Sequence, residues 1–273
     1  MLLRVGYDVQ YDCPAPTPMI VLLTIHHSLT DALRQPDRLA TDPPVPITPY
    51  RDGFGNWCSR LVAPPGTMRL TTDATLRLPR VPDERPPPDT PLTPVQDLPP
   101  ETLVYLLGSR YCETDRLSQA AWDTFGHLPL TWARVEAVND WVHNHITFGY
   151  HFARPTKTAF EAFTERTGVC RDFAHLGVAL CRALNVPARY CTGYLGDIDI
   201  PPPAGPMDFA GWFEVFVGGR WYTVDPRNRV PRVGRALIAQ GRDAADVPLT
   251  HIFGPAGLRS FRVWTDEVPE DLA

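Results

Sequence analysis

The sequence predicts an α+β fold in which a cysteine-bearing helix packs on an antiparallel sheet, preceded by a mainly β N-terminal domain. Three stretches carry that prediction. From Cys170 to Asn185, Phe173, Leu176, Gly177, Leu180, Cys181 and Leu184 recur at helical spacing, which buries one stripe of a helix. Trp212 to Val217 and Arg220 to Asp225 flank Gly218-Gly219, the signal of a tight hairpin. Leu2 to Gln10, Met19 to Ile25, Gly55 to Val62 and Thr67 to Leu78 read as the strands of the first domain.

Length and composition bound the rest. A chain of 273 residues can hold two domains with sizeable cores, and 44% hydrophobic with 10% aromatic residues argues for a folded protein. A net charge of -5 with a pI near 5.9 lacks the basic footprint of a nucleic-acid binder, so nucleic acid is set aside as a partner. No apolar stretch reaches membrane-spanning length, and the start Met1 to Asp8 has too short an apolar run for a signal peptide. The cysteines at 13, 58, 112, 170, 181 and 191 are scattered through a large chain, which fits reduced thiols and a cytoplasmic location better than a disulfide framework. The lone lysine, Lys157, reads as codon usage rather than function.

Taken in order, residues 1–82 form the β-rich domain. The dense prolines between Pro79 and Pro100 allow neither helix nor central strand, so 83–100 is a connector and 101–273 the second domain with its C-terminal tail. His26-His27 ends a strand-like run with no further ligand at metal spacing. Ala133 to His145 places Val135, Val138 and Val142 on one stripe, with Asn139 and Asp140 outside; His143 and His145, two apart, diverge and share no metal. Phe160 to Phe163 forms a short helical turn. Val186-Pro187 ends the cysteine helix, because proline cannot continue its ladder. Ala188 to Tyr194 is a strand, followed by an irregular Gly/Asp/Pro stretch through Pro206. Arg229 to Asp246 has a surface-like pattern, and the tail from His251 returns as an edge strand through Phe261 to Trp264.

Cys170 stands at the first helical position, behind Gly168, where unpaired backbone N–H groups and the helix dipole favour thiolate. In a two-residue hairpin Val217 pairs with Arg220, and counting back sets Trp212 opposite Asp225 and Ala210 opposite Arg227. Phe209, Phe213, Val215, Val217, Tyr222 and Val224 then share one face; Asp208, Ala210, Trp212, Glu214, Trp221, Thr223 and Asp225 share the other. A long side chain at 210 would reach Asp225. A cysteine at a helix start with a later hairpin is the layout of a Cys/His/Asp acyl-transfer site.

The segments Gly168-Val169-Cys170-Arg171-Asp172-Phe173-Ala174-His175-Leu176, Ala188 to Tyr194, and Trp212-Phe213-Glu214-Val215 through Trp221-Tyr222-Thr223-Val224-Asp225-Pro226-Arg227-Asn228 closely resemble the bacterial transglutaminase-like superfamily of cysteine proteases, with the N-terminal β domain that accompanies its cores. The resemblance implies a papain-like core in which Cys170 is the nucleophile position and Asp225 orients a histidine. That histidine normally stands two residues before the tryptophan, and here the position is Ala210. The register places the vacancy at the same residue. His151, in a loop upstream, His175, five residues along the helix, and Asp208, on the face of Ala210, are the candidate substitutes, while Trp212 and Trp221 wall the cleft or cover the hairpin.

Two functions are expected from this reading. One is acyl transfer or amide and peptide hydrolysis through a Cys170 thioester on a peptide, amide or thioester substrate, possibly a protein. The other is a catalytically impaired homologue that binds a peptide or protein in the same cleft. No cofactor or metal is implied; Asp197 and Asp199 are too few for a calcium site of the kind some animal transglutaminases carry.

Overall fold

Inward alternation of Leu3, Val5, Tyr7 and Val9 starts the chain as a strand in the computed structural model, which describes residues 1–201 and 206–269. After β1 (Leu2–Cys13) come β2 (Thr17–Val21), β3 (Leu33–Gln35), β4 (Ala40–Asp42), β5 (Thr48–Arg51), β6 (Trp57–Ala63) and β7 (Gly66–Arg77). Next are α1 (Thr114–Phe125), α2 (Trp132–His145), β8 (Thr147–Phe148), α3 (Ala159–Glu165), β9 (Thr167–Gly168) and α4 (Cys170–Ala183). Strands β10 (Ala188–Leu195), β11 (Ala210–Val217), β12 (Arg220–Val224), β13 (Arg235–Gly241), β14 (Thr250–Ile252) and β15 (Gly257–Val268) follow. The irregular stretch expected before Pro206 lies partly outside the described residues, as does the end of the tail.

Three antiparallel sheets organise these strands: β15-β1-β7-β3 with β4 on β7, β14-β2-β6-β5, and the site sheet β12-β11-β10-β13. The C-terminal tail, grouped above with the second domain, pairs with the first. β15 runs along the length of β1, from Leu2 opposite Val268 to Asp12 opposite Gly257, and β14 pairs with β2. Both edges of β1 are thereby hydrogen-bonded, which local sequence pattern does not reveal. No helix among the described residues is long and apolar enough to cross a membrane.

The site sheet owes its order to α4. The buried stripe Phe173, Leu176, Leu180 and Leu184 faces β10 and β11, and Gly177 brings the helix close enough that a Cβ there would stand 2.4 Å from the Phe213 ring. Val217 pairs with Arg220 and Phe213 with Val224, as the hairpin count requires, and Phe213, Val215, Val217 and Val224 are buried. The stretch 229–246 corrects the sequence reading. It contains β13, the strand that ends the site sheet beside β10, with Ala236, Ile238 and Ala239 buried, and Arg232 and Arg235 are buried there with their charges paired. Asn139, expected outside α2, is buried and donates to the Arg229 carbonyl at 3.2 Å.

The prolines of 79–100 form an ordered strap along the second domain. Asp83 grips Arg235 through both carboxylate oxygens at 3.0 and 2.9 Å, Leu92 N–H donates to Leu130, and Trp132 N–H donates to Thr90. Lys157 also differs from expectation. It is 1% exposed, and its ammonium donates to the Thr167 carbonyl and Glu165 carboxylate, both at 3.0 Å, pinning the chain just before the cysteine helix.

Candidate active site

Helix α4 begins at Cys170 after an extended Val169, and Gly168 leaves room for what caps it. A Cβ at 168 would meet the Asp172 side chain at 2.7 Å; without it, the Asp172 carboxylate folds back to accept the Val169 N–H at 2.9 Å. Gly168 is thus required for space, since its φ is not positive. Arg171 holds Asp172 at 3.2 Å and donates to the Arg154 carbonyl at 2.5 Å.

Cys170 is half-buried and is the one cysteine of six that is not fully buried. It lines a cleft of about 110 Å³ with Phe148, Tyr150, Met207, Asp208, Ala210 and Arg227. Burial and then the Asp208 charge push its thiol up to about 11, with Asp225 adding to the rise; the backbone N–H groups of Gly211 and Arg171 oppose it and lose. Burial and the nearby carboxylates thus oppose the thiolate that the helix start favours. At pH 7 a thiol of this kind is ionised in only about one molecule in 10,000.

Asp225 follows β12 and is buried in a turn. Its carboxylate accepts the Asn228 backbone N–H at 3.1 Å, the Asn228 side-chain amide at 2.8 Å and the Arg235 guanidinium at 3.0 Å. Arg235 also lies 4.5 Å over the Trp212 ring. Ala210 and Trp212 share a face of β11, so position 210 stands on the side where Trp212, Arg235 and Asp225 are stacked. Its neighbour Gly211 reaches Cys170 with its backbone N–H, and Ala210 lines the same cleft as the thiol.

The candidate substitutes fare differently. His175 is fully buried: its ring stacks on Tyr111 at 5.2 Å and its Nε2 accepts the Ala244 N–H at 3.1 Å, away from the cleft. Burial, then Arg171 and Arg182, hold it well below the usual histidine range, so it is neutral. His151 is exposed against Phe152, and the loop reaches the cleft through Tyr150 instead. Asp208 does line the cleft; burial raises its pKa against the Phe209 N–H that it accepts at 2.7 Å.

Neither tryptophan walls the cleft. Trp212 is 1% exposed beneath Arg235, and Trp221 packs edge-on to Tyr105 and Phe216 under Arg189, on the far part of the hairpin. His26 is buried against His27, and among the described residues no three His, Cys, Asp or Glu side chains gather as a metal site. Residues the sequence did not single out complete the cleft: Phe148, Tyr150, Leu195, Met207, Arg227 and Arg232.

Comparison with known proteins agrees with this fold. Residues 123–226 match the family model described as the transglutaminase-like superfamily. A solved structure described as a putative cysteine protease from Cytophaga hutchinsonii is 34% identical with a TM-score of 0.86, over 99% of this chain and 92% of that one. An uncharacterized protein of Mycobacterium bovis is 30% identical over 242 residues, covering 77% of this chain and 73% of its own length. An uncharacterized protein of Mycobacterium leprae is 33% identical over 105 residues, 37% of each chain.

Proposed function

The chain belongs to the transglutaminase-like superfamily, and we propose that its Cys170 cleft binds a peptide without cleaving it. Membership supports a cysteine protease-like or acyltransferase-like scaffold. One observation supports the narrower reading: Ala210, and no histidine among the described lining residues, stands in the cleft beside Cys170, whose thiol is held up to about 11.

Amide cleavage needs a thiolate to attack and a proton for the leaving amine, and a histidine supplies both. Neither need is met here. Asp208 does not replace it. Its negative charge raises the thiol pKa, and a carboxylate is a poor base for so weak an acid. Asp225, held by Arg235 and Asn228, keeps its orientation in the absence of a histidine. What survives is a shaped cleft with a protonated thiol at its base.

The test is the reactivity of Cys170. Iodoacetamide labelling, followed by mass spectrometry of the Cys170 peptide, is expected to accelerate continuously with pH toward 11, with no low-pH plateau. p-Nitrophenyl acetate is expected to leave no acyl group on Cys170 at neutral pH. A plateau below pH 8, or a burst of nitrophenol with an acyl adduct on Cys170, would overturn the reading in favour of acyl transfer.

A further inference from the structure

The cleft holds two opposite charges for which no ion-pair partner stands among the described residues. Asp208 accepts only its own neighbour's N–H, and among the described residues no arginine or lysine pairs with it. Arg227 lines the same cleft, stacked 3.8 Å from the Phe148 ring centre, with one face on the aromatic and, among the described residues, no carboxylate on its donors. The cleft's other acid and base differ: Asp197 and Arg232 satisfy each other at 3.7 Å.

An unpaired carboxylate and an unpaired guanidinium within one small cleft sit beyond ion-pair distance of each other, yet each is half-buried. Folding them there without partners costs solvation that a ligand can return. A ligand that does so carries a cation toward Asp208 and a carboxylate toward Arg227, whose planar fork suits a carboxylate. The volume of about 110 Å³ is below the roughly 150 Å³ of a cavity that holds one benzene, so the enclosed part takes only a small group of the size of a small amino acid. Phe148, Tyr150, Leu195 and Met207 offer apolar surface for its carbon atoms.

We propose that the Cys170 cleft is a site for a zwitterionic amino-acid or short-peptide ligand, with Asp208 receiving the ammonium group and Arg227 the carboxylate. This inference rests on the peptide-binding reading above and adds the ligand's charge pattern.

The experiment measures protection of Cys170 from iodoacetamide at a fixed alkaline pH by glycine, glycylglycine and triglycine at millimolar concentration, beside their N-acetyl and amide derivatives. At least one free zwitterion is expected to slow labelling, and capping either end is expected to weaken that protection by about tenfold or more. Asp208→Asn should remove the preference for a free ammonium, and Arg227→Gln the preference for a free carboxylate. Protection ratios are compared within each variant, since Asp208→Asn also changes the thiol itself. Equal protection by capped and free forms would overturn the zwitterion inference while leaving a binding cleft in place. No protection by any free form, with Cys170 still labelled only at high pH, would overturn the inference as well. Failure of the binding reading looks different: it is an acyl adduct on Cys170.

Discussion

Ala210→His should rebuild a reactive cysteine. The imidazole would enter a half-exposed position on the face of β11 shared with Trp212, where Arg235 and Asn228 already hold Asp225, and Gly211 beside it already reaches Cys170. Histidine-paired cysteines have pKa values of roughly 3.5 to 7.5. Moving from about 11 to about 7 raises the thiolate fraction at pH 7 from about 1 in 10,000 to about a half. The thiolate loses intrinsic nucleophilicity as its pKa falls, by roughly 60-fold over four units at a Brønsted slope near 0.45. The net gain in iodoacetamide labelling of Cys170 at pH 7 is therefore about a hundredfold, and the rate should level off near pH 8 instead of climbing to 11. p-Nitrophenyl acetate should now give a nitrophenol burst, and adding Asp225→Asn should remove most of both gains by freeing the imidazole to take the wrong orientation. A folded Ala210→His protein with the parent's pH profile would refute the proposal that residue 210 occupies the position of the missing base.

Other outcomes follow from neighbouring contacts. Asp208→Asn removes the second largest cause of the raised thiol pKa, so Cys170 labelling in the parent background should accelerate below pH 10; an unchanged profile would leave burial and Asp225 as the causes. Arg235→Met strands Asp83 and Asp225 in the interior without their shared cation and should cost about 3 to 5 kcal/mol in urea unfolding. Burial, then His27, Arg189 and Arg51, lower His26 to about 4, below its unfolded value of about 6.5. The unfolded chain then binds more protons between those values, so this stabilisation is complete above pH 6.5 and is lost as pH falls through 4. His26→Gln should shrink the stability difference between pH 7 and pH 4 by about 3 kcal/mol; equal slopes for both proteins would refute the assignment. Gly177→Ala gains helix propensity but drives a methyl into Phe213, so a net loss of about 1 to 2 kcal/mol is expected in thermal unfolding.

Local pattern made much of this legible. The stripe of α4 and the glycine pair of the β11–β12 hairpin each fix an element and its buried face, because helical and strand periods differ and a two-residue loop sets register. What pattern missed was set by distant partners. β13 looked like surface because Arg235 and Arg232 flank it, yet their charges are matched by Asp83, Asp225 and Asp197 from three other segments. Lys157 hides likewise behind Glu165 and a carbonyl. Leu117, Ala121 and Phe125, four apart in α1, did carry a signal that went unread. For the cleft, Arg227 and Tyr150 had none: both are ordinary loop residues until the fold brings them to Cys170.

The cysteine itself shows why placement alone does not make a nucleophile. A helix start stabilises an adjacent anion by about 0.3 to 1 kcal/mol, less than one pKa unit. Burial, with Asp208 and Asp225 nearby, moves Cys170 two units the other way, from 9.0 to about 11, or about 3 kcal/mol. The dipole cannot offset that; a fixed cation close to the sulfur could, and an imidazolium at position 210 would be one. The same residue would shuttle the proton, so under the proposed reading an alanine at 210 leaves both requirements of the chemistry unmet together. Asp208 and Arg227 lie outside that loss. Their charges do not depend on a thiolate, so under the proposed reading the cleft can select what it holds without cleaving it.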